Sequence, residues 1–180
     1  MRALVLGLGN LLMSDDGLGC HAIGVIKRRY LVPAEVKLVD GGTLGLDLLP
    51  LFEGVDLLVL IDALNMDAAA GEVFRLAGAE VPRAFANKLS VHQVGVQDLL
   101  IVAELQGHLP SELVVWGAQP LSLEMGTALT AELESALGAV VAGVARDLAG
   151  RGVDLREKIE TGSTDRLKHN NYAAARPPVS

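Results

Sequence analysis

Short aliphatic runs alternate along this chain with segments of helical periodicity, and this alternation strongly limits the folds open to it. Four runs are short, continuous and rich in Val, Leu and Ile, which is typical of strands buried on both faces; they span residues 3–6, 36–39, 55–61 and 112–116. A weaker fifth run spans residues 72–76. Strands alternating with helices predict an α/β three-layer sandwich, with a twisted, mostly parallel sheet of about five strands between helices on both faces.

The segments between the runs supply the helices. A capping box at Ser90–Gln93 predicts the start of one helix, and an apolar stripe with a spacing of three and four residues predicts the last one. The predicted helices span residues 17–30, 44–52, 90–106 and 129–148. We expect a single domain over residues 1–152, because 180 residues fit one domain. Residues 153–180 are polar, lack periodicity and contain Pro-Pro, so a flexible tail is predicted there.

Charge and cysteine content exclude several classes of protein. The chain carries 15 basic and 22 acidic residues, for a net charge of −7. This balance argues against nucleic acid or an anionic membrane as the main partner, since phosphate binding requires clustered Lys and Arg. Cys20, the single cysteine, cannot form an internal disulfide and fits a reducing compartment, so we expect a cytoplasmic protein. Glycines and Asn10 interrupt the apolar start, which favours a buried strand over a signal peptide.

The stretch GLGNLLMSDDGLG at residues 7–19 follows the first predicted strand and resembles a nucleotide-binding turn. The dinucleotide fingerprint requires three glycines, however, and Leu12 occupies the third position. Asp15 and Asp16 would also repel a phosphate at the following helix N-terminus. We therefore expect no nucleotide. Asp15 could cap the helix, but an acidic pair near a turn is also what a divalent cation requires.

Aspartates lie at or just after three of the predicted strands. They are Asp16, Asp40 and Asp62, and the carboxyl ends of parallel strands meet at one edge of the sheet. Asp62 ends the run LLVLID, where an ionised carboxylate is costly unless it is paired or binds a metal. It could also cap the next turn. His92 falls in the first turn of a predicted helix, whose positive end favours the neutral, metal-binding imidazole; an exposed surface histidine fits equally well.

Five blocks, in the same order, resemble the hydrogenase maturation proteases, the endopeptidases that process the large subunit of [NiFe] hydrogenases. They are GLGNLLMSDDGLG, DGGTLGLDLL at 40–49, LIDA at 60–63, NKLSVHQVGVQDLL at 87–100 and GAQPLSLEMG at 117–126. The resemblance covers about residues 1–150. It implies nickel-contacting roles for Asp16, Asp62 and His92. Asp40 begins the DGGT block; it either supports a metal-contacting residue or contacts the substrate, or it caps its own turn.

The resemblance implies an endopeptidase that removes a C-terminal extension from the large-subunit precursor after nickel insertion. The metal would come from the substrate, as a recognition element or as part of the chemistry. It also implies a monomer that docks transiently on its substrate. A non-proteolytic chaperone that senses nickel remains an alternative, because no Ser-His-Asp or Cys-His nucleophile set is evident and Cys20 falls within a predicted helix.

Overall fold

In the computed structural model, the described part of the chain comprises residues 1–85 and 91–158, without the side chains of residues 82 and 91–94. Its strands are β1 (Ala3–Leu8), β2 (Tyr30–Leu31), β3 (Val36–Gly42), β4 (Leu57–Ala63), β5 (Val73–Ala77), β6 (Glu112–Ala118) and β7 (Arg156–Glu157). The α-helices are α1 (Leu18–Arg29), α2 (Val81–Ala84), α3 (Val91–Leu105) and α4 (Ala131–Ala149). Three 3-10 helices span Ser14–Gly17, Gly45–Phe52 and Gly78–Glu80.

The main sheet has five strands in the order β3-β1-β4-β6-β5. The first four run parallel, and β5 pairs antiparallel with β6 at the edge. The predicted mostly parallel sheet of five strands is thus confirmed, including the weaker fifth run. The order also shows where the chain changes direction. From β1 it passes first to β3 on one side and then to β4 on the other, so the switch point lies beside β1.

Successive side chains along each strand point to opposite sides of the sheet, and this gives the sheet two apolar faces. Val5, Val59 and Ile61 point toward the face covered by α1 and α4. Leu6, Leu58 and Leu60 point toward the other face, which is covered by α2, α3 and the Gly45–Phe52 helix. Residues one apart on a strand point to opposite faces, so a continuous aliphatic run serves two cores at once. The result is the predicted three-layer sandwich.

Two details differ from the sequence prediction. The helix predicted at residues 44–52 is a 3-10 helix that contains Pro50, a residue that lacks the N–H of an α-helical hydrogen bond. Part of the predicted tail is also packed on the domain: Val153 and Leu155 are buried, and β7 pairs antiparallel with β2. Within the described ranges the domain therefore continues to residue 158. Residues 159–180 lie outside them.

None of the described helices combines the length and the apolar character that a membrane-spanning helix requires.

Candidate functional site at the carboxyl edge of the sheet

Glycines bring α1 against the ends of β1 and β4. A Cβ at Gly19 would overlap the carbonyl oxygen of Ile61 and the backbone of Leu8, and a Cβ at Gly7 would overlap the carbonyl of Gly19. Gly9 has a φ of +119° and lies directly against the carbonyl of Asp16. The glycine-rich turn thus permits close packing between backbone segments. In this chain Gly19 allows the close helix–strand approach, while Leu12 lies exposed in the loop.

Asp15 ties two distant loops together and caps no helix. Its side chain is fully buried. Oδ2 accepts hydrogen bonds from the backbone N–H of Leu121 at 2.8 Å and of Ser122 at 3.0 Å. Thr130 donates twice, from its N–H to Oδ1 at 2.7 Å and from its Oγ1 to Oδ2 at 2.9 Å. Neither adjoining helix has a side-chain cap, so the capping interpretation of Asp15 is wrong.

Asp16 follows in the same 3-10 helix and is also buried. The backbone N–H of Asn10 donates to its Oδ2 at 3.0 Å, and the side chain of Asn10 accepts from the N–H of Leu12 at 3.0 Å. Asn10 therefore orders the turn and orients the Asp16 carboxylate at once. The two neighbouring aspartates have different surroundings: Asp15 binds the 121–130 segment, whereas Asp16 faces the turn that leaves β1.

Asp62 is fully buried at the penultimate position of β4. Its Oδ1 accepts a hydrogen bond from the N–H of Ala63 at 2.8 Å. In the sheet it pairs with Gly117 of β6, where a Cβ would overlap the Asp62 carbonyl. The Ser14–Gly17 helix, which carries Asp16, contacts β4. The fold thus brings the segments carrying Asp16 and Asp62 together beside β1, at the switch point where α/β proteins place their ligands.

Cys20 and Asp40 lie next to this position. The Cys20 thiol donates to the carbonyl of Gly9 at 3.4 Å. Burial raises the pKa of this thiol well above its usual range, and the nearby Asp40 carboxylate raises it further. A thiol held neutral is a poor nucleophile, in agreement with the sequence interpretation. Asp40 is exposed, and its Oδ1 accepts from the N–H of Gly42 at 3.2 Å, which is the turn-capping geometry.

The backbone of His92 lies in the first turn of α3, as predicted. Its side chain and the capping residue Ser90 fall outside the described residues. Among the side chains that the structure does describe, no group of three His, Cys, Asp or Glu could hold a metal ion. The metal-contacting set predicted from sequence is Asp16, Asp62 and His92. Because the side chain of His92 is not described, the arrangement of these three groups around a metal stays a prediction. Two buried carboxylates supply hard oxygen ligands, and an imidazole would add a nitrogen ligand.

The chain is similar to known proteins in both sequence and fold. The family model described as hydrogenase maturation protease matches residues 20–147. A hydrogenase expression/formation protein, HupD of Rhodobacter capsulatus, is 35% identical over 98% of this chain and 86% of its own length. The hydrogenase maturating endopeptidase HybD from Escherichia coli superposes with a TM-score of 0.83 at 35% identity, covering 88% of this chain and 98% of its own. The [NiFe] hydrogenase maturation protease HybD from Thermococcus kodakarensis superposes with a TM-score of 0.68 at 28% identity, covering 83% of this chain and 99% of its own.

Proposed function

The chain belongs to the hydrogenase maturation protease family, and we propose that it removes the C-terminal extension of an [NiFe] hydrogenase large-subunit precursor after nickel insertion. The observation that carries this proposal is the pairing of family membership with two buried aspartates at the switch point of the sheet. The two structural relatives named above are an endopeptidase and a protease of hydrogenase maturation, which supports a hydrolytic activity on a peptide bond.

In the proposed mechanism, Asp16, Asp62 and His92 contact the nickel that the precursor already holds. Burial strengthens a carboxylate–cation interaction, because the effective dielectric constant is lower than in water. The Asn10 and Ala63 N–H groups hold the two carboxylates in place before the substrate arrives, which reduces the ordering cost of binding. Contact with the metal would fix the scissile bond beside the site and restrict cleavage to loaded precursor.

The carboxylates could recognise the nickel or take part in hydrolysis, and these roles predict different kinetics. If they recognise the metal equally in the ground state and the transition state, Asp→Asn variants raise KM and leave kcat unchanged. If they orient or deprotonate the attacking water, the same variants lower kcat. Asp40 is exposed and bonded to its own turn, so we assign it a role in holding the DGGT loop. We expect a cytoplasmic monomer without a nucleotide cofactor.

The test is a processing assay on nickel-loaded and nickel-free precursor, followed by mass spectrometry. We expect the wild type to shorten only the loaded precursor. Asp16→Asn, Asp62→Asn and His92→Ala should each slow the processing of subsaturating loaded precursor by about 100-fold, because each removes one contact to the metal and the loss of one partner of a buried charged contact costs about 2–5 kcal/mol. Asp154→Asn, at an exposed aspartate, is the control. Full processing by all three variants would contradict the site assignment, and stable binding of loaded precursor without a mass change would favour the chaperone alternative.

A further inference from the structure

Large apolar side chains are exposed around the carboxyl edge of the sheet. Of the ten exposed large apolar residues in the described ranges, six lie in the segments that leave β1, β3 and β6 at this edge. We call these six the apolar rim: Leu11, Leu12, Leu44, Leu46, Leu121 and Met125. Scattered exposed apolar residues are ordinary, but a concentration beside one site marks an interaction surface.

Backbone hydrogen bonds hold two segments of the rim side by side. The N–H of Gly126 donates to the carbonyl of Leu12 at 3.0 Å, and the N–H of Ser14 donates to the carbonyl of Gly126 at 2.8 Å. The Ser14 hydroxyl also donates to the carbonyl of Glu124 at 2.9 Å. Leu12 and Met125 thus lie on adjoining backbone segments fixed from both sides. On the other side of β1, the N–H of Gly9 donates to the carbonyl of Gly42, which brings the segment carrying Leu44 alongside.

In the described segments that carry the rim, the charges have one sign. Residues 9–17, 43–47, 64–72 and 119–130 contain no Lys or Arg. Exposed carboxylates lie among them or directly beside them, at Asp40, Asp47, Asp67, Glu72 and Glu124. An apolar surface whose described boundary carries only acidic charges is complementary to an apolar segment that carries positive charge nearby.

We propose that the apolar rim is the surface on which the hydrogenase large-subunit precursor docks, through an apolar segment flanked by Lys or Arg. This inference rests on the proposed function. The rim is continuous with the site, because Leu11 and Leu12 lie on the same loop as Asp16. A precursor whose nickel contacts Asp16 and Asp62 approaches the sheet edge at which both carboxylates lie, and the rim surrounds this edge. A second copy of the chain fits poorly, since two acidic boundaries would repel each other.

The apolar part of the proposal is tested with the double variant Leu12→Ser/Met125→Ser in the full chain. These side chains are 62% and 90% exposed, so their removal should leave the fold intact. The matched control is Leu31→Ser/Leu105→Ser, at 56% and 82% exposure and outside the rim. In the processing assay on nickel-loaded precursor we expect KM to rise about tenfold and kcat to stay within about twofold for the rim variant. The control should behave as wild type.

The charge is tested separately with Glu124→Lys against Asp154→Lys, two exposed acidic positions of which only the first borders the rim. We expect Glu124→Lys alone to raise KM, and the effect to shrink in high salt. If wild-type protein cleaves and the rim variant keeps the wild-type KM, the docking proposal is wrong while the proposed function stands. If wild-type protein fails to cleave, the proposed function is wrong. The docking proposal is then tested by the affinity for the precursor, and a rim variant that binds the precursor as tightly as the wild type refutes it.

Discussion

The hydrogen bonds of Asp15 give a quantitative prediction about how the first loop is held. Asp15→Ala would remove the acceptor of four hydrogen bonds and leave the N–H groups of Leu121, Ser122 and Thr130 without it. Hydrogen bonds to a charged group contribute about 1.5–3 kcal/mol each and are not additive. Because Leu121 is exposed and water can reach part of this segment, we expect a loss of about 3–5 kcal/mol in the free energy of unfolding.

Asp15→Asn separates charge from shape. Three of the four donors converge on Oδ2, so the amide oxygen of an asparagine can occupy that position. Its NH₂ group would then face the N–H of Thr130, a donor opposed to a donor. We expect an intermediate loss of about 2 kcal/mol, smaller than for alanine. Urea unfolding of both variants and of the control Asp154→Asn measures these values. Changes below about 0.5 kcal/mol in both Asp15 variants would refute the reasoning, because surface substitutions have effects of this size.

Three further predictions concern packing, charge and thiol chemistry. Gly19→Ala should destabilise the protein by at least about 2 kcal/mol, because the added Cβ would overlap the Ile61 carbonyl. Gly138→Ala, in open space on α4, should stabilise the protein by about 0.5–1 kcal/mol. Thermal unfolding of the two variants should show a lower melting temperature for the first and a higher one for the second. Burial tends to raise the pKa of Asp147, but hydrogen bonds from Arg75 and Trp116 hold that pKa below its usual value. The difference in stability between wild type and Asp147→Asn should therefore stay constant above about pH 5 and shrink as the pH falls below about 4, and a constant difference down to pH 2 would contradict this. Iodoacetamide should react slowly with native Cys20 and rapidly in urea, and Cys20→Ala should retain processing; loss of processing would point to a role for the thiol.

Most of the sheet was predictable because its strands are continuous aliphatic runs that serve cores on both faces, as for β4. The two-residue strands β2 and β7 carry no such signal, and their pairing depends on residues far apart in sequence. Val153 and Leu155 fall in the predicted tail because two isolated apolar residues in a polar stretch have no periodicity. Their burial depends on the surface available when the rest of the domain has folded.

The position of Asp62 relative to the first loop was also predictable, whereas the joint geometry of Asp16, Asp62 and His92 stays a prediction. Asp62 follows the predicted strand at residues 55–61, and the carboxyl ends of parallel strands meet at one edge of a sheet, so topology predicts its position near the first loop. The different roles of Asp15 and Asp16 could not be predicted, because the hydrogen-bond partners of Asp15 lie 106 to 115 residues away and lack any local signature. The use of Gly19 at the helix–strand contact was likewise hidden, since glycine spacing alone does not reveal which backbone atoms approach.

The bonds from Asp15 to Leu121 and Thr130 have a consequence for biosynthesis. The loop is encoded near the start of the chain, but its anchors are translated more than a hundred codons later. A polypeptide still being made on the ribosome therefore lacks the restraints on this loop until residue 130 has left the exit tunnel. Proteolytic competence should arise only after residue 130 has emerged, and fragments released earlier should be inactive.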